Sequence, residues 1–436
     1  MMRRIAMVMA MVAITCFTMI GFAHAQTLNN QNRALLANNC AGLSGGPYGA
    51  NLNAICTAGG VALGAGGGGA ASVQAAAVSI LNRTTLARLD ETRTEGQSGG
   101  YKMASSAMVA NPFGAIMPGL MGGLGMTSPS AQAGGGGSPM GGVMGMSSDR
   151  WKGIGLFASG LVESLNRNDT TFQDGYRSTI LGLTVGADYR VSPQFTAGVA
   201  FSYSNTNGDF RQVGNFSTNA YDILIFGQYL PTERTFIQVT GGYQRDSYLV
   251  NRSNSLTLSN IAVSGFSTSN SNGDVYKLGM LTGYDHPMGM FTIGPRAGIN
   301  WTNTHINGYG ENGSTGLELS YDAQSVNSLQ STLGLQGQAA IPTTMGVLVP
   351  QVNGNYIHEF ANSQRFLNVH YVQDLSPTPT KFRFQNEVPV RNYFTAGTGL
   401  LMVLPNGWQP FVNFRAMIGN NQFNDYAGTF GLRVEM

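Results

Sequence analysis

The chain of 436 residues is short of charge: Lys, Arg, Asp and Glu together make up 11% of it, against roughly 25% in an ordinary soluble domain. The charges that are present nearly cancel, 24 basic against 22 acidic. They are scattered, which excludes a nucleic-acid footprint. Cysteine occurs three times and histidine five times. His24, His286, His305, His358 and His370 fall at no metal-ligand spacing, and no His-Glu-x-x-His is present. There is no Gly-x-Ser-x-Gly elbow on a strand–helix turn, and no glycine run is followed by Gly-Lys-Ser/Thr. Neither catalytic, cofactor-binding nor metal residues are therefore expected. Apolar residues reach only 42% and mean hydropathy is near zero, which excludes a bundle of membrane helices.

Glycine, by contrast, is abundant, at 60 residues or about 14%, twice the usual ~7%. It is accompanied by 17 Tyr and 22 Phe. Few charges, much glycine, many aromatics and no excess hydrophobicity fit a transmembrane β-barrel, in which only every second strand residue meets lipid.

Residues 1–25 read as a secretory signal. Arg3 and Arg4 precede an apolar run from Ile5 to Phe22, and Ala23-His24-Ala25 offers a small-residue cleavage site ahead of Gln26. The competing reading is an anchoring helix, since the run is near the lower length limit for spanning. Cys40 and Cys56 then remain in an exported chain, where a disulfide is the default and two free thiols the alternative. Within the segment 26–71, Gly64 to Gly69 is nearly all glycine. A helix is expected over 72–95, carried by Ser72 to Arg93 with Ser72 as N-cap. Residues 96–150 are a low-complexity linker of Gly, Met, Ala, Ser and Pro.

From Trp151 the pattern changes to period two. Thr179, Leu181, Leu183, Val185, Ala187, Tyr189 and Val191 share one face, opposite Ser178, Gly182, Thr184, Gly186, Asp188 and Arg190, with Ile180 as an exception. Phe291, Ile293, Ala297, Ile299 and Trp301 likewise oppose Thr292, Gly294, Arg296 and Gly298. Twelve such strands are expected, starting near 151, 177, 195, 217, 235, 273, 290, 328, 345, 391, 407 and 425. Tight proline-bearing turns after the even strands alternate with long polar loops near 164–176, 205–216, 251–272, 303–327 and 361–390, and a shorter one near 420–424. That alternation predicts an all-β, twelve-stranded antiparallel transmembrane barrel over 151–436, with its turns periplasmic. Trp151, Tyr189, Tyr229, Tyr284, Trp301 and Trp408 are placed for interfacial girdles. Asp188, Arg190, Asp222, Asp285, Arg296, Arg415, Arg433 and Glu435 are expected to face the lumen.

Trp151 to Glu163 (WKGIGLFASGLVE), Gly182 to Tyr189 (GLTVGADY) and Gly346 to Phe360 (GVLVPQVNGNYIHEF) resemble the type V autotransporter family, as does the order of signal, passenger, helix and C-terminal barrel. The resemblance implies a non-enzymatic translocator in the outer membrane of a Gram-negative bacterium, a monomeric barrel that brings a short passenger to the cell surface. It implies passage through the secretory translocon and signal peptidase, and insertion into outer-membrane lipid by the barrel-assembly machinery. The last strand, with Tyr426, Phe430, Leu432, Val434 and Met436 on one face, resembles the family's assembly signal, although that strand usually ends in an aromatic and here ends in Met436. The family places a helix in the lumen. Residues 72–93 are either that plug, with Arg83, Arg88 and Arg93 meeting Asp188, Asp222, Asp285 or Glu435, or part of the passenger. A porin-like channel for small solutes and a surface adhesin are the alternative functions.

Overall fold

The computed structural model describes residues 154–435, apart from 169–175, 193, 212–213, 233, 259–260, 317, 362–365, 376, 380, 386–388 and 405–406. The signal, the cysteine pair, the helix at 72–95, the linker and Trp151 lie outside the described residues.

Twelve long strands form one closed antiparallel sheet: β1 (Ile154–Arg167), β2 (Tyr176–Ser192), β3 (Phe195–Phe210), β4 (Gly214–Tyr229), β5 (Thr235–Leu258), β6 (Ile261–Tyr284), β7 (Phe291–Ile306), β8 (Gln324–Ala339), β9 (Gly346–Glu359), β10 (Asn392–Val403), β11 (Trp408–Ile418) and β12 (Phe423–Glu435). Each strand pairs with its neighbours in sequence. The ring closes where β1 meets β12, in register from Gly155 opposite Glu435 to Arg167 opposite Phe423. No helix among the described residues is long and apolar enough to cross a membrane; the crossing elements are strands. β1 starts and β12 finishes at the tight-turn end of the barrel. There, the short strands His286–Met288 and Ile341–Thr343 extend the ladders into the turns.

Alternation sorts the side chains. On β2, Leu183 is 58% exposed while the adjacent Thr184 is 3% exposed, and on β4 Ile225 is 62% exposed. The outward apolar run of β2 from Leu181 to Val191 is about 33 Å of strand at ~3.3 Å per residue, or about 25 Å of membrane at the usual barrel tilt. Aromatic side chains rim this band. Tyr189, Phe195, Tyr229, Tyr284, Phe291 and Trp408 are exposed at the turn end. At the loop end, Tyr203 and Tyr221 have ring centroids 5.2 Å apart, and Tyr243 and Tyr276 5.5 Å apart.

Four loop expectations are corrected. The stretch 251–272 is strand almost throughout, because β5 and β6 continue as a paired ribbon to Leu258 opposite Ile261. The connection expected at 205–216 shrinks to 211–213, where Gly214 takes φ 124° to start β4. The stretches 303–327 and 361–390 contain short strands, Tyr309–Gly310, Leu319–Tyr321, Phe366–Tyr371 and Phe382–Gln385, which make a separate four-stranded sheet. These segments stand in water above the band, so polar residues are tolerated on both faces and the hydrophobic alternation that marks a membrane strand is missing.

Replacing Val185 by Arg at mid-band is expected to cost about 2–4 kcal/mol, whereas Ser247→Arg above the band should cost about 0–1 kcal/mol; denaturant titration of the barrel folded into lipid vesicles measures both.

Candidate functional site: the interior of the barrel

The inward face carries the polar and charged residues that the outer face lacks. Asp188 on β2 and Arg433 on β12 reach across β1 and pair twice, Nη2 to Oδ1 at 2.6 Å and Nε to Oδ2 at 3.2 Å. Both are buried. The residue between them is Gly155, and a Cβ there would stand 2.5 Å from Arg433 Nη2 and 2.7 Å from Asp188 Oδ1. Glycine on β1 therefore makes room for an ion pair that ties β12 to β2 over the seam. A second bridge lies deeper along the same seam, with Arg415 Nη2 on β11 at 2.7 Å from Asp425 on β12 and 3.3 Å from Glu163 on β1. A third runs from β6 to β4, with Lys277 Nζ 3.1 Å from Asp222 Oδ2. Gln244, which binds the same lysine, donates to Asp246 at 2.7 Å. Buried charges of this kind hold together only when each has a partner.

The structure brings together Asp188 with Arg433 and Asp285 with Arg296, the latter pair at the turn end. Asp222 and Arg415 meet partners that the sequence reading did not single out: Lys277, Glu163 and Asp425. Arg190 is half-buried near the turn end of β2, and the side chain of Glu435 lies outside the described ones. Asp188, Asp222 and Asp285 each hold a basic group of the barrel. On β12, Tyr426 and Phe430 are exposed on the outer face with Leu432 and Val434 half-buried beside them; Met436 is outside the described residues.

Toward the loop end the inner wall turns apolar. Leu165, Tyr176, Phe210, Phe216, Val250, Ile357, Tyr393, Met417 and Phe423, one from each of nine strands, form a single buried cluster. Tyr176 meets Phe216 edge-on with centroids 5.5 Å apart, and the Arg167 guanidinium carbon stands 4.8 Å from the Phe423 ring centroid. Above this rim the small sheet is tied to the β5–β6 ribbon by Thr268 and Asn312, which exchange backbone hydrogen bonds at 2.8 Å. The tie also includes a buried ion pair between Arg252 and Glu311, with Nε to Oε1 at 2.8 Å. Burial by itself would lower the Arg252 pKa, but Glu311 beside it more than offsets that and holds the guanidinium above its ordinary value. Burial pushes the Tyr321 phenol well up, and its hydroxyl donates to Glu311 at 3.2 Å. Among the described residues no group of three or more His, Cys, Asp or Glu is placed to hold a metal ion.

A closed twelve-stranded barrel with an apolar belt, a charged interior and folded outer loops defines a transmembrane β-barrel of the Gram-negative outer membrane. The sequence model of the family "Autotransporter beta-domain" matches residues 156–415, more than half of the chain, and the chain belongs to that family. Outer membrane protein A of Rickettsia rickettsii and that of Rickettsia conorii are each 22% identical to it over 254 residues, 57% of this chain. The match spans only 11% and 12% of those two relatives. The translocator domain of the autotransporter NalP from Neisseria meningitidis has the same fold, with a TM-score of 0.52 at 15% identity, covering 65% of this chain and 89% of that one.

Removing the Arg415 charge alone leaves Glu163 and Asp425 buried together. Arg415→Met is therefore expected to destabilise the barrel by about 3–5 kcal/mol, read as a lower midpoint of the heat-dependent gel-mobility shift. The four-stranded sheet above the rim, which caps the barrel's loop end and carries His370 on Phe366–Tyr371, has a pH dependence. Burial lowers the pKa of His370, with Asp322 acting in the opposite sense. Between that lowered value and the ordinary ~6.5, the opened cap binds more protons than the closed one. Cap stability is thus full above the ordinary value and falls as the pH drops through that window. Limited proteolysis of the outer loops should be faster at about pH 5.5 than at about pH 7.5, and His370→Asn should flatten the difference.

Proposed function

We propose that this chain is a non-enzymatic autotransporter whose barrel moves its own N-terminal segment, residues 26–150, to the cell surface and displays it there. One observation carries the reading. The first residue of β1 and the last of β12 both stand at the tight-turn end, the periplasmic end of such barrels. A segment joined to the start of β1 therefore begins on the inside, and the polar lumen is its route out. On this reading residues 1–25 direct the chain to the secretory translocon and signal peptidase releases it before Gln26. The outward residues of β12, Tyr426, Phe430, Leu432 and Val434, are then read by the barrel-assembly machinery. The Cys40–Cys56 loop and the helix at 72–93 pass through the pore unfolded or enter it, and the barrel works as a monomer.

A channel for small solutes is the alternative, and against it stands the apolar cluster contributed by nine strands, which puts groups that disfavour water and ions on the inner wall at the loop end. Protease added to intact cells is expected to clip a tag inserted near residue 60; a tag that stays protected refutes surface export. In planar bilayers, the double variant Phe210→Ser, Phe216→Ser should conduct more than the parent barrel. Equal conductance would show that the cluster does not constrict the pore.

A further inference from the structure

Directly above the apolar band, the outer wall of the barrel carries a groove of about 610 Å³ across β12, β1, β2 and β3. Its lower row is Tyr426, Ser164, Thr179 and Asn207, side by side in the strand register. Its upper row is Asn424, Asn166, Arg177 and Asp209. Four residues below the lower row, in the same register, lie the lipid-facing Phe430, Leu183 and Tyr203. The groove is thus at the height where hydrocarbon ends and lipid headgroups begin.

Two further observations fix that height and the chemistry found there. Hydroxyls of the loop-end aromatic belt point up to amide groups: Tyr203 donates to Asn219 at 2.8 Å and Tyr356 to Asn392 at 2.7 Å. Amides bond to amides along the same collar, Asn205 to Asn219, Asn251 to Asn215 and Asn303 to Asn327. Two guanidiniums stand at the groove, Arg177 exposed within it and Arg211 at its upper edge, where Nη2 donates to Asn166 Oδ1 at 3.3 Å. Carboxamides and hydroxyls in a row match sugar hydroxyls, and guanidiniums match phosphate oxygens with paired donors.

Resting on the outer-membrane location of the barrel rather than on passenger export, we infer that this groove holds the phosphorylated sugar headgroup of an outer-leaflet glycolipid. Arg177 and Arg211 take the phosphate, and Asn166, Asn207 and Asn424 take the sugar. Asp209 disfavours a second anion beside Arg177 and limits the site to one phosphate group. The lipid tails then lie along Leu183 and Val162 beneath.

The test uses the full chain extracted from outer membranes in mild detergent, with phosphate and hexose measured per barrel after washing. The wild type is expected to retain glycolipid, and Arg177→Gln with Arg211→Gln to lose about ten-fold in affinity for each guanidinium. Asp209→Asn should retain more than the wild type. The gel-mobility shift controls for closure of every variant. Equal retention by wild type and the double glutamine variant overturns the site. So does a thermal shift produced by inorganic phosphate alone that matches that of purified glycolipid, since the sugar contacts would then contribute nothing. Surface export of residues 26–150 is read separately by the tag and is independent of this outcome.

Discussion

A peptide N–H or C=O left without a partner in hydrocarbon costs several kcal/mol, and a sheet in a membrane has no water to cover its edges. Everything in this protein follows from the way β1 and β12 meet that demand. Their in-register pairing from Gly155 to Arg167 leaves no edge strand in the twelve-membered ring. Once the ring is shut, each strand has one face in lipid and one in the lumen, and the composition divides accordingly. The charge-poor sequence is the outward half of that division, and the few charges it does contain are concentrated on the inward half.

The interior reinforces the closure. Among the described residues, two buried ion networks span the seam, Asp188 with Arg433 over Gly155, and Arg415 with Asp425 and Glu163. In a low-dielectric lumen such pairs are expensive to break by removing one member, because the survivor stays buried and loses that opposite charge. They are also directional, since a guanidinium that reaches across a glycine fixes the register of the strands on either side. Slipping β12 by one residue would turn Arg433 outward into lipid, so the pairs select one closed register as well as stabilising it.

Beyond the membrane the rules change, and so does the construction. The β5–β6 ribbon and the four-stranded sheet stand in water, and they are held by a buried Arg252–Glu311 pair, backbone bridging and a small core of Leu319, Tyr321, Val369 and Tyr371. The headgroup layer between these two regimes is marked by tyrosines below and asparagines above. There, outward side chains change from apolar to hydrogen-bonding within about two residues of strand, some 7 Å at ~3.3 Å per residue.

The barrel is legible in the amino-acid pattern. Period-two runs, prolines in the tight turns and the scarcity of charge were enough to give twelve strands and their direction, because lipid imposes the same constraint on every crossing strand. The pattern also pointed to Asp188, Arg415 and Arg433 as inward residues, since each sits opposite a clearly apolar face. It did not reveal Glu163, which lies between the inward Leu161 and Leu165. On β1 both faces are apolar, one against lipid and one against the rim cluster, so alternation alone does not tell which is which. Nor did it show the partners Lys277 and Asp425, because pairs across strands depend on register, a long-range property that no local window contains. The long ribbon at 251–272 was hidden for the opposite reason: water on both sides removes the hydrophobic contrast that makes a strand legible. Only closure of the ring decided which charges meet, which rim is apolar and which outer groove faces the headgroups.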